Sequence, residues 1–258
     1  MGLSIVRVPA YTDNYIWLLN DVESGKTAVV DPGQTQPVLD ALHENGWQLD
    51  WVINTHHHWD HTGANLELQN ATGCKVAGAA ADLHRIPGME LALNDGDTFH
   101  LGSSEAKVLF TPGHTTGHIC FWFAKDGCLF SGDTLFLMGC GKLMECDAAT
   151  MWTSLSRLMA LPPDTQIYCA HEYTLANAHF ACTVDPHNTA LQMRLSQAQE
   201  RRSRGEATVP ASLQEELATN PFLRAAEADI ARQLDLARAS PVEIFAELRR
   251  RKDYFQAT

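Results

Sequence analysis

Seven consecutive residues, Thr55-His56-His57-His58-Trp59-Asp60-His61, constrain this chain more than any other stretch. They follow an apolar run, Trp51-Val52-Ile53, that reads as a buried strand. In extended backbone successive side chains point to opposite faces, so His56 and His58 share one face and His57 takes the other. Asp60 and His61 fall where the chain turns into a helix through residues 65–68. Two imidazoles are thereby offered to one metal ion, and a carboxylate–imidazole pair to a second. The alternative, a polar loop of solvated histidines, leaves this density of imidazole unexplained.

Three further segments end in the same way. Lys107-Val108-Leu109-Phe110 runs into Thr111-Pro112-Gly113-His114, and Cys128-Leu129-Phe130 runs into Ser131-Gly132-Asp133. Gln166-Ile167-Tyr168-Cys169 runs into Ala170-His171. Each is a short β-rich run followed by a lone His or Asp. Strand ends at one edge of an α/β sheet converge, and such proteins bind their ligands there. By metal chemistry the residues divide into His56, His58 and His114 for one ion and Asp60, His61 and His171 for the other. The two oxygens of Asp133 can bridge both. Imidazole and carboxylate without thiolate suit Zn, Fe or Mn rather than a closed cysteine site. Three protein ligands and a bridge leave each ion an open position for water, which is a catalytic layout.

His-x-His-x-Asp-His followed by an isolated His, Asp and His resembles the metallo-β-lactamase-fold hydrolases. Thr12-Asp13-Asn14-Tyr15-Ile16, Val30-Asp31-Pro32-Gly33 and Thr111-Pro112-Gly113-His114-Thr115-Thr116-Gly117-His118 resemble glyoxalase II, the hydroxyacylglutathione hydrolases. So do Gly139-Cys140-Gly141-Lys142, His171-Glu172-Tyr173-Thr174, Asn220-Pro221-Phe222-Leu223-Arg224 and Arg250-Arg251-Lys252-Asp253. The resemblance spans nearly the whole chain. It implies an α/β fold, an αββα metallo-β-lactamase sandwich over residues 1–173 with two metals at one edge. A smaller α-helical, glutathione-binding domain follows over residues 174–258.

The same resemblance implies hydrolysis of S-D-lactoylglutathione, an acyl-glutathione thioester, to D-lactate and glutathione, the second step of methylglyoxal detoxification. Two divalent ions, Zn foremost with Fe or Mn open, lower the pKa of a shared water from about 15.7 toward neutrality. The bridging hydroxide then attacks the thioester carbonyl while Asp60 orients it and one ion steadies the oxyanion. The departing thiolate comes from a thiol of pKa about 8.5, so no strong general acid is required. Arg249 and Lys252, three apart and so on one helix face, would hold the glycine carboxylate of glutathione. Lys142 and Tyr173 match further contacts to the tripeptide. Arg250 and Arg251 read as solvated cations at a helix C-terminus.

Composition bounds the partners. A chain of 258 residues makes about two domains or one large one. A net charge of −12 argues against nucleic acid. No apolar stretch approaches the roughly 20 residues of a membrane span, and the start carries no signal pattern, so no membrane partner is expected. Seven scattered cysteines read as free thiols, which points to a reducing cytoplasm. The family resemblance implies a monomer.

A helix is expected over residues 37–45, closed by Gly46. Gly96 between Asp95 and Asp97 marks a hairpin-like turn. Beyond residue 173 strand signals give way to helical spacing at Leu191, Leu195 and Ala198, and again at Phe245 and Leu248. Ser240-Pro241-Val242-Glu243 is a capping box that starts a terminal helix.

Other polar residues take quieter roles. His57 faces away from the metals and is structural or supports a ligand from behind, His118 braces the loop or its strand, and Asp31 backs a ligand imidazole. His43, His84, His100, His179 and His187 lack supporting spacing and belong to the surface. Ser131 lacks a nucleophile-elbow pattern, which argues against a serine hydrolase. The chain departs from the glyoxalase II pattern at Leu143-Met144-Glu145-Cys146-Asp147, where an aromatic residue and Glu-Gly-Thr are usual, and at Ala64, which replaces a glycine. Neither change touches a metal ligand. Two rivals stand beside the hydrolase. A glutathione persulfide dioxygenase of the same fold uses one iron on a His-His-Asp set, whereas Asp60, His61 and His171 fill a second site here. A non-catalytic metal-binding module for a glutathionylated partner fits poorly with open coordination.

Overall fold

The computed structural model describes residues 2–256. The chain forms two compact units: one runs up to Thr111 and resumes over Thr116–Gly132, the other takes Pro112–Thr115 and everything from Asp133.

In the first unit, β1 (Leu3–Ala10), β2 (Asn14–Asp21), β3 (Thr27–Val30), β4 (Leu49–Ile53), β5 (Lys75–Ala79) and β6 (Met89–Leu93) form one sheet in sequence order. The first three pair antiparallel, and β3 to β6 pair parallel. All eight residues of β2 are buried, as a strand covered on both faces requires. Between strands lie α1 (Thr35–Asn45), α2 (Trp59–Thr62) and α3 (Asn65–Thr72). Val38 and Leu42 of α1 and Leu68 of α3 share a core cluster with Val29, Val52 and Val76 on the outer face of this sheet. Helix α1 begins two residues earlier than the sequence suggests and ends on Gly46 at φ 67°, where a side chain would be strained.

A second sheet carries β7 (Thr98–Leu101), β8 (Ser104–Phe110), β9 (Ile119–Phe123) and β10 (Cys128–Gly132), antiparallel in the order β10-β9-β8-β7. The sheets meet where Trp51 lies edge-on to Phe99 at 5.5 Å. At their margin Leu3 N donates to Asp126 Oδ1 at 2.9 Å. The Gly96 turn is not a hairpin. It carries the chain from β6 in the first sheet to β7 in the second, because turn residues specify a reversal and not the pairing that follows.

The second unit contains β11 (Leu135–Phe136), β12 (Gly139–Cys140), β13 (Gln166–Cys169) and β14 (Ala211–Ser212). Its helices are α4 (Ala148–Met159), α5 (Thr174–Val184), α6 (Thr189–Ser203), α7 (Leu213–Thr219), α8 (Ala228–Gln233) and α9 (Pro241–Tyr254). Strand β14 corrects the expectation that strands end before residue 174. It pairs Ser212 with Gln166 and Ala211 with Ile167, but two residues are too few to show alternation in sequence. Helix α9 starts as its capping box predicts: the Ser240 hydroxyl accepts from Glu243 N, and Ser240 N donates back to the Glu243 carboxylate at 2.7 Å.

The Asn220–Arg224 segment has a structural task. Asn220 Nδ2 donates to Phe136 O, Gly139 O and Glu216 Oε2, while Met138 N donates to the same Glu216 oxygen at 2.8 Å. The buried Arg194–Glu216 pair compensates that carboxylate. Together they fix the β11–β12 hairpin. All seven cysteines are free thiols. Among the described residues no helix is long and apolar enough to cross a membrane.

Candidate active site

The first unit organises its ligand-type residues around Asp31, a buried carboxylate just beyond β3. Asp31 Oδ1 accepts from Thr55 N at 2.7 Å, and Oδ2 accepts from the Thr55 hydroxyl at 2.6 Å. With its proton so used, the Thr55 oxygen can only accept from His56 Nδ1, 3.0 Å away. Asp31 Oδ2 also takes His61 Nδ1 at 3.1 Å. Both imidazoles therefore carry their proton on Nδ1 and present the lone pair of Nε2.

His56 Nε2 faces His58 Nδ1 at 3.0 Å, so the two nitrogens share either a proton or a cation. His61 Nε2 stands 3.4 Å from Asp60 Oδ2. The half-buried Asp60 is oriented by Asn14, whose Nδ2 donates to the same oxygen at 3.0 Å. Helix α2 makes this arrangement by accepting His61 N on the His58 carbonyl, which tucks Asp60 and His61 back beneath the strand end. Burial, then the charge of Asp60, raises the pKa of nearby Tyr11.

The second unit gathers its own ligand-type residues around Asp133. His114 Nε2 lies 3.5 Å from Asp133 Oδ2, and His171 Nε2 lies 3.5 Å from Oδ1, so each carboxylate oxygen faces its own imidazole. His114 Nδ1 donates to Lys142 O at 2.8 Å, which again leaves Nε2 as the donor atom for a ligand. Gly141 is required here: a Cβ would strike the Asp133 carbonyl oxygen. His171 stacks on Tyr173, with Phe136 edge-on to both. Nitrogen and carboxylate donors without thiolate, with the far nitrogens of His56, His61 and His114 already bound to oxygen acceptors, are the set that divalent zinc, iron or manganese takes.

The expected glutathione contacts are placed less uniformly. Lys142 is exposed, and Tyr173 is 36% exposed. Lys252 is half-buried, its Nζ donating to Ala176 O at 3.1 Å. Arg249 lies deeper than Lys252. It is buried, with Nη1 on Cys140 O at 2.9 Å and Nη2 on Asp253 at 2.9 Å, and its guanidinium lies over the Phe222 ring. Sharing a helix face with Lys252 did not say how deep that face lies. In the departing loop, Asp147 caps α4 by accepting Thr150 N at 2.9 Å, and Met144 is exposed.

The supporting residues fall as expected. His57 is held by Asp82 and Arg85, and His118 is fully buried on Thr111 Oγ1 while stacking on His56. His43, His84, His100 and His187 are exposed, whereas His179 is half-buried.

A family model of the metallo-beta-lactamase superfamily matches residues 12–171, and one of the hydroxyacylglutathione hydrolase C-terminus matches residues 172–255. The hydroxyacylglutathione hydrolase of Methylococcus capsulatus is 56% identical over 254 residues, covering 98% of this chain and 99% of its own. The chain belongs to the hydroxyacylglutathione hydrolase family of the metallo-beta-lactamase superfamily. Another hydroxyacylglutathione hydrolase, from Cereibacter sphaeroides, is 51% identical over 99% of this chain and all of its own. Among solved structures, ETHE1 from Myxococcus xanthus has a TM-score of 0.69 at 23% identity, covering 97% of this chain and 90% of its own. That likeness is one of fold. The di-iron-bound form of TTHA1623 has a TM-score of 0.59 at 26% identity, covering 85% of this chain and 100% of its own.

Sequence reasoning assigned no role to Asn14, Asp82 or Arg85 in this hydroxyacylglutathione hydrolase family chain. Asn14 sat inside a quoted motif, so its polarity at a strand start was the available signal. Asp82 and Arg85 offered none, because only the fold brings them to His57.

Proposed function

We propose that this chain hydrolyses acyl-glutathione thioesters, S-D-lactoylglutathione foremost, to the hydroxy acid and glutathione. The observation that carries this reading is the Asp133 carboxylate, which presents one oxygen to His114 and the other to His171. One metal ion would be held by His56, His58, His114 and Asp133, the other by Asp60, His61, His171 and Asp133. Zinc leads the choice, with iron and manganese served by the same donors. The chemistry such ions would supply when bound is a nucleophile from water near neutral pH and polarisation of the thioester carbonyl.

The chain's own groups do the remaining work. The Thr55 hydroxyl, Asp31 and the Lys142 carbonyl hold protons on the far nitrogens of His56, His61 and His114 respectively, so the near nitrogens stay available. Asp60, steadied by Asn14, accepts a hydrogen bond from the attacking water and aims it. Tyr173, Lys142 and Lys252 bind the tripeptide, Lys252 through its charge to a carboxylate. Arg249 adds positive field beside Lys252, with its own hydrogen bonds spent within the fold. The glutathione sulfur leaves as a thiolate of thiol pKa about 8.5, so no acid need be found for it. Residues 174–258 form the part that recognises glutathione. The place of this activity is methylglyoxal detoxification in the cytoplasm, carried out by a monomer.

The test is the initial rate of thiol release from S-D-lactoylglutathione by metal-loaded protein, with metal content measured alongside. Saturable turnover at two ions per chain is expected. Full metal occupancy without turnover, or oxygen uptake with glutathione persulfide in its place, would sink the reading.

A further inference from the structure

His57 is left out of both metal sets, yet it is held at both ring nitrogens. Its Nδ1 lies 3.2 Å from Asp82 Oδ2, and its Nε2 accepts from Arg85 Nη2. A guanidinium only donates, so the His57 proton must sit on Nδ1 and point at Asp82. Asp82 is fully buried just beyond β5, and Arg85 Nη1 answers its charge at 3.4 Å. The same guanidinium nitrogen reaches Thr116 Oγ1 at 3.2 Å. Gly117 lies so close to the Asp82 carboxylate that a Cβ there would collide with it. Asp82, Arg85 and His57 thus form a closed ring of bonds that also clasps the turn following His114 in sequence.

We propose that Asp82 and Arg85 are positioning residues for the metal centre, gripping His57 so that His56 and His58 project at a fixed separation. This inference rests on the metal reading proposed above. The reasoning is geometric. His57 stands between His56 and His58 in sequence with its ring held by Asp82 and Arg85, and that ring lies 4.8 Å from that of His58, which in turn lies 4.6 Å from His56. Rotation of the backbone at residue 57 would swing both neighbouring imidazoles. Fixing its ring at two points removes that freedom, and groups that orient metal ligands in this way commonly govern affinity by about 10–100-fold. Asp60 and His61 start from helix α2 and hang on Asp31 and Asn14 instead, so the effect should fall on one ion.

The experiment compares Co(II) binding by the full chain as wild type, Asp82→Ala, Asp82→Asn and Arg85→Gln, using stoichiometry, chelator competition and the visible absorption of bound cobalt. The wild type should bind two ions. Asp82→Ala and Arg85→Gln should each weaken one ion about tenfold and alter its absorption band, leaving the other ion as in the wild type. Asp82→Asn keeps an acceptor for the His57 proton and should recover most of that loss. Arg85 is partly exposed, so Arg85→Gln should fold even where Asp82→Ala does not. Wild-type affinity and spectrum in Arg85→Gln and in whichever Asp82 variants fold would overturn the proposal. Equal weakening of both ions would also overturn it, since that reports general loosening. A wild-type chain that binds fewer than two ions would instead remove the metal reading, and this inference with it.

Discussion

The rings of His171 and Tyr173 lie parallel, 3° apart in plane with centroids separated by 4.7 Å. One face of Tyr173 therefore packs on the imidazole proposed as a metal ligand, and its hydroxyl is the group proposed to meet substrate. Stacked aromatic pairs contribute about 0.5–1.5 kcal/mol beyond their buried area. Tyr173→Phe keeps the stack and loses the hydroxyl, so KM for S-D-lactoylglutathione should rise several-fold with kcat and metal content unchanged. Tyr173→Ala should in addition weaken metal binding, because His171 gains freedom. Steady-state kinetics with metal analysis of both variants separates the two roles. Equal metal loss in both would deny the stack its part.

Asp133 gives the most direct test of bridging. Removing both oxygens in Asp133→Ala should abolish tight binding of both ions and reduce kcat/KM by several orders of magnitude. Asp133→Asn retains a single acceptor oxygen and should retain one ion. Metal analysis after dialysis against a weak chelator is the measurement. An Asp133→Ala protein that keeps two ions and its activity would remove the bridging role.

Asp31 tests the tautomer argument. It sits at φ 51°, a conformation Asn also accepts, so Asp31→Asn changes the carboxylate and spares the backbone. The amide cannot accept from Thr55 N, Thr55 Oγ1 and His61 Nδ1 together, so one buried donor loses its partner. That should cost about 1–3 kcal/mol in urea unfolding and weaken metal affinity by about 10–100-fold. A variant with wild-type stability and affinity would show that His56 and His61 are oriented by other means.

Much of the grouping of ligand-type residues was legible in sequence, because the runs that precede them are β-branched or aromatic and strand ends define an edge. His56 and His58, two apart, do come together, with facing nitrogens 3.0 Å apart, although β4 ends at Ile53 and the chain bends at Thr55 and His56 instead of continuing as strand. The legible part ends where partners are distant. The Gly96 turn announced a reversal but not that β6 and β7 belong to different sheets. Arg249 and Lys252 share a face by spacing, yet whether Arg249 would meet solvent or Cys140 O depended on how α9 docks. The Asp82–Arg85 grip on His57 joins residues 25 and 28 positions apart with no motif or period linking them, so only the fold reveals it.

Lys252 links the substrate contact to pH. Burial first, then the Arg249 guanidinium, lowers its pKa from 10.5 to about 8, against the opposing pull of the Asp253 carboxylate and, where it ionises, Cys140. Its Nζ also lies over the rings of Phe180 and Phe255, at 5.6 and 5.4 Å. Below about pH 8 it is a cation able to hold a carboxylate, and above it the charge is lost. KM for S-D-lactoylglutathione should therefore rise several-fold between about pH 7 and about pH 9, with kcat following a different profile. Lys252→Met should show a high KM that is flat over this range. Stability carries the opposite sign. Between about 8 and 10.5 the unfolded chain binds more protons than the native one, so unfolding free energy climbs as pH rises through that window. Lys252→Met should lose that slope in urea titrations at a series of pH values. Matching KM profiles in wild type and variant would take Lys252 out of the substrate contact, while a surviving difference in the stability slope would still confirm its depressed pKa.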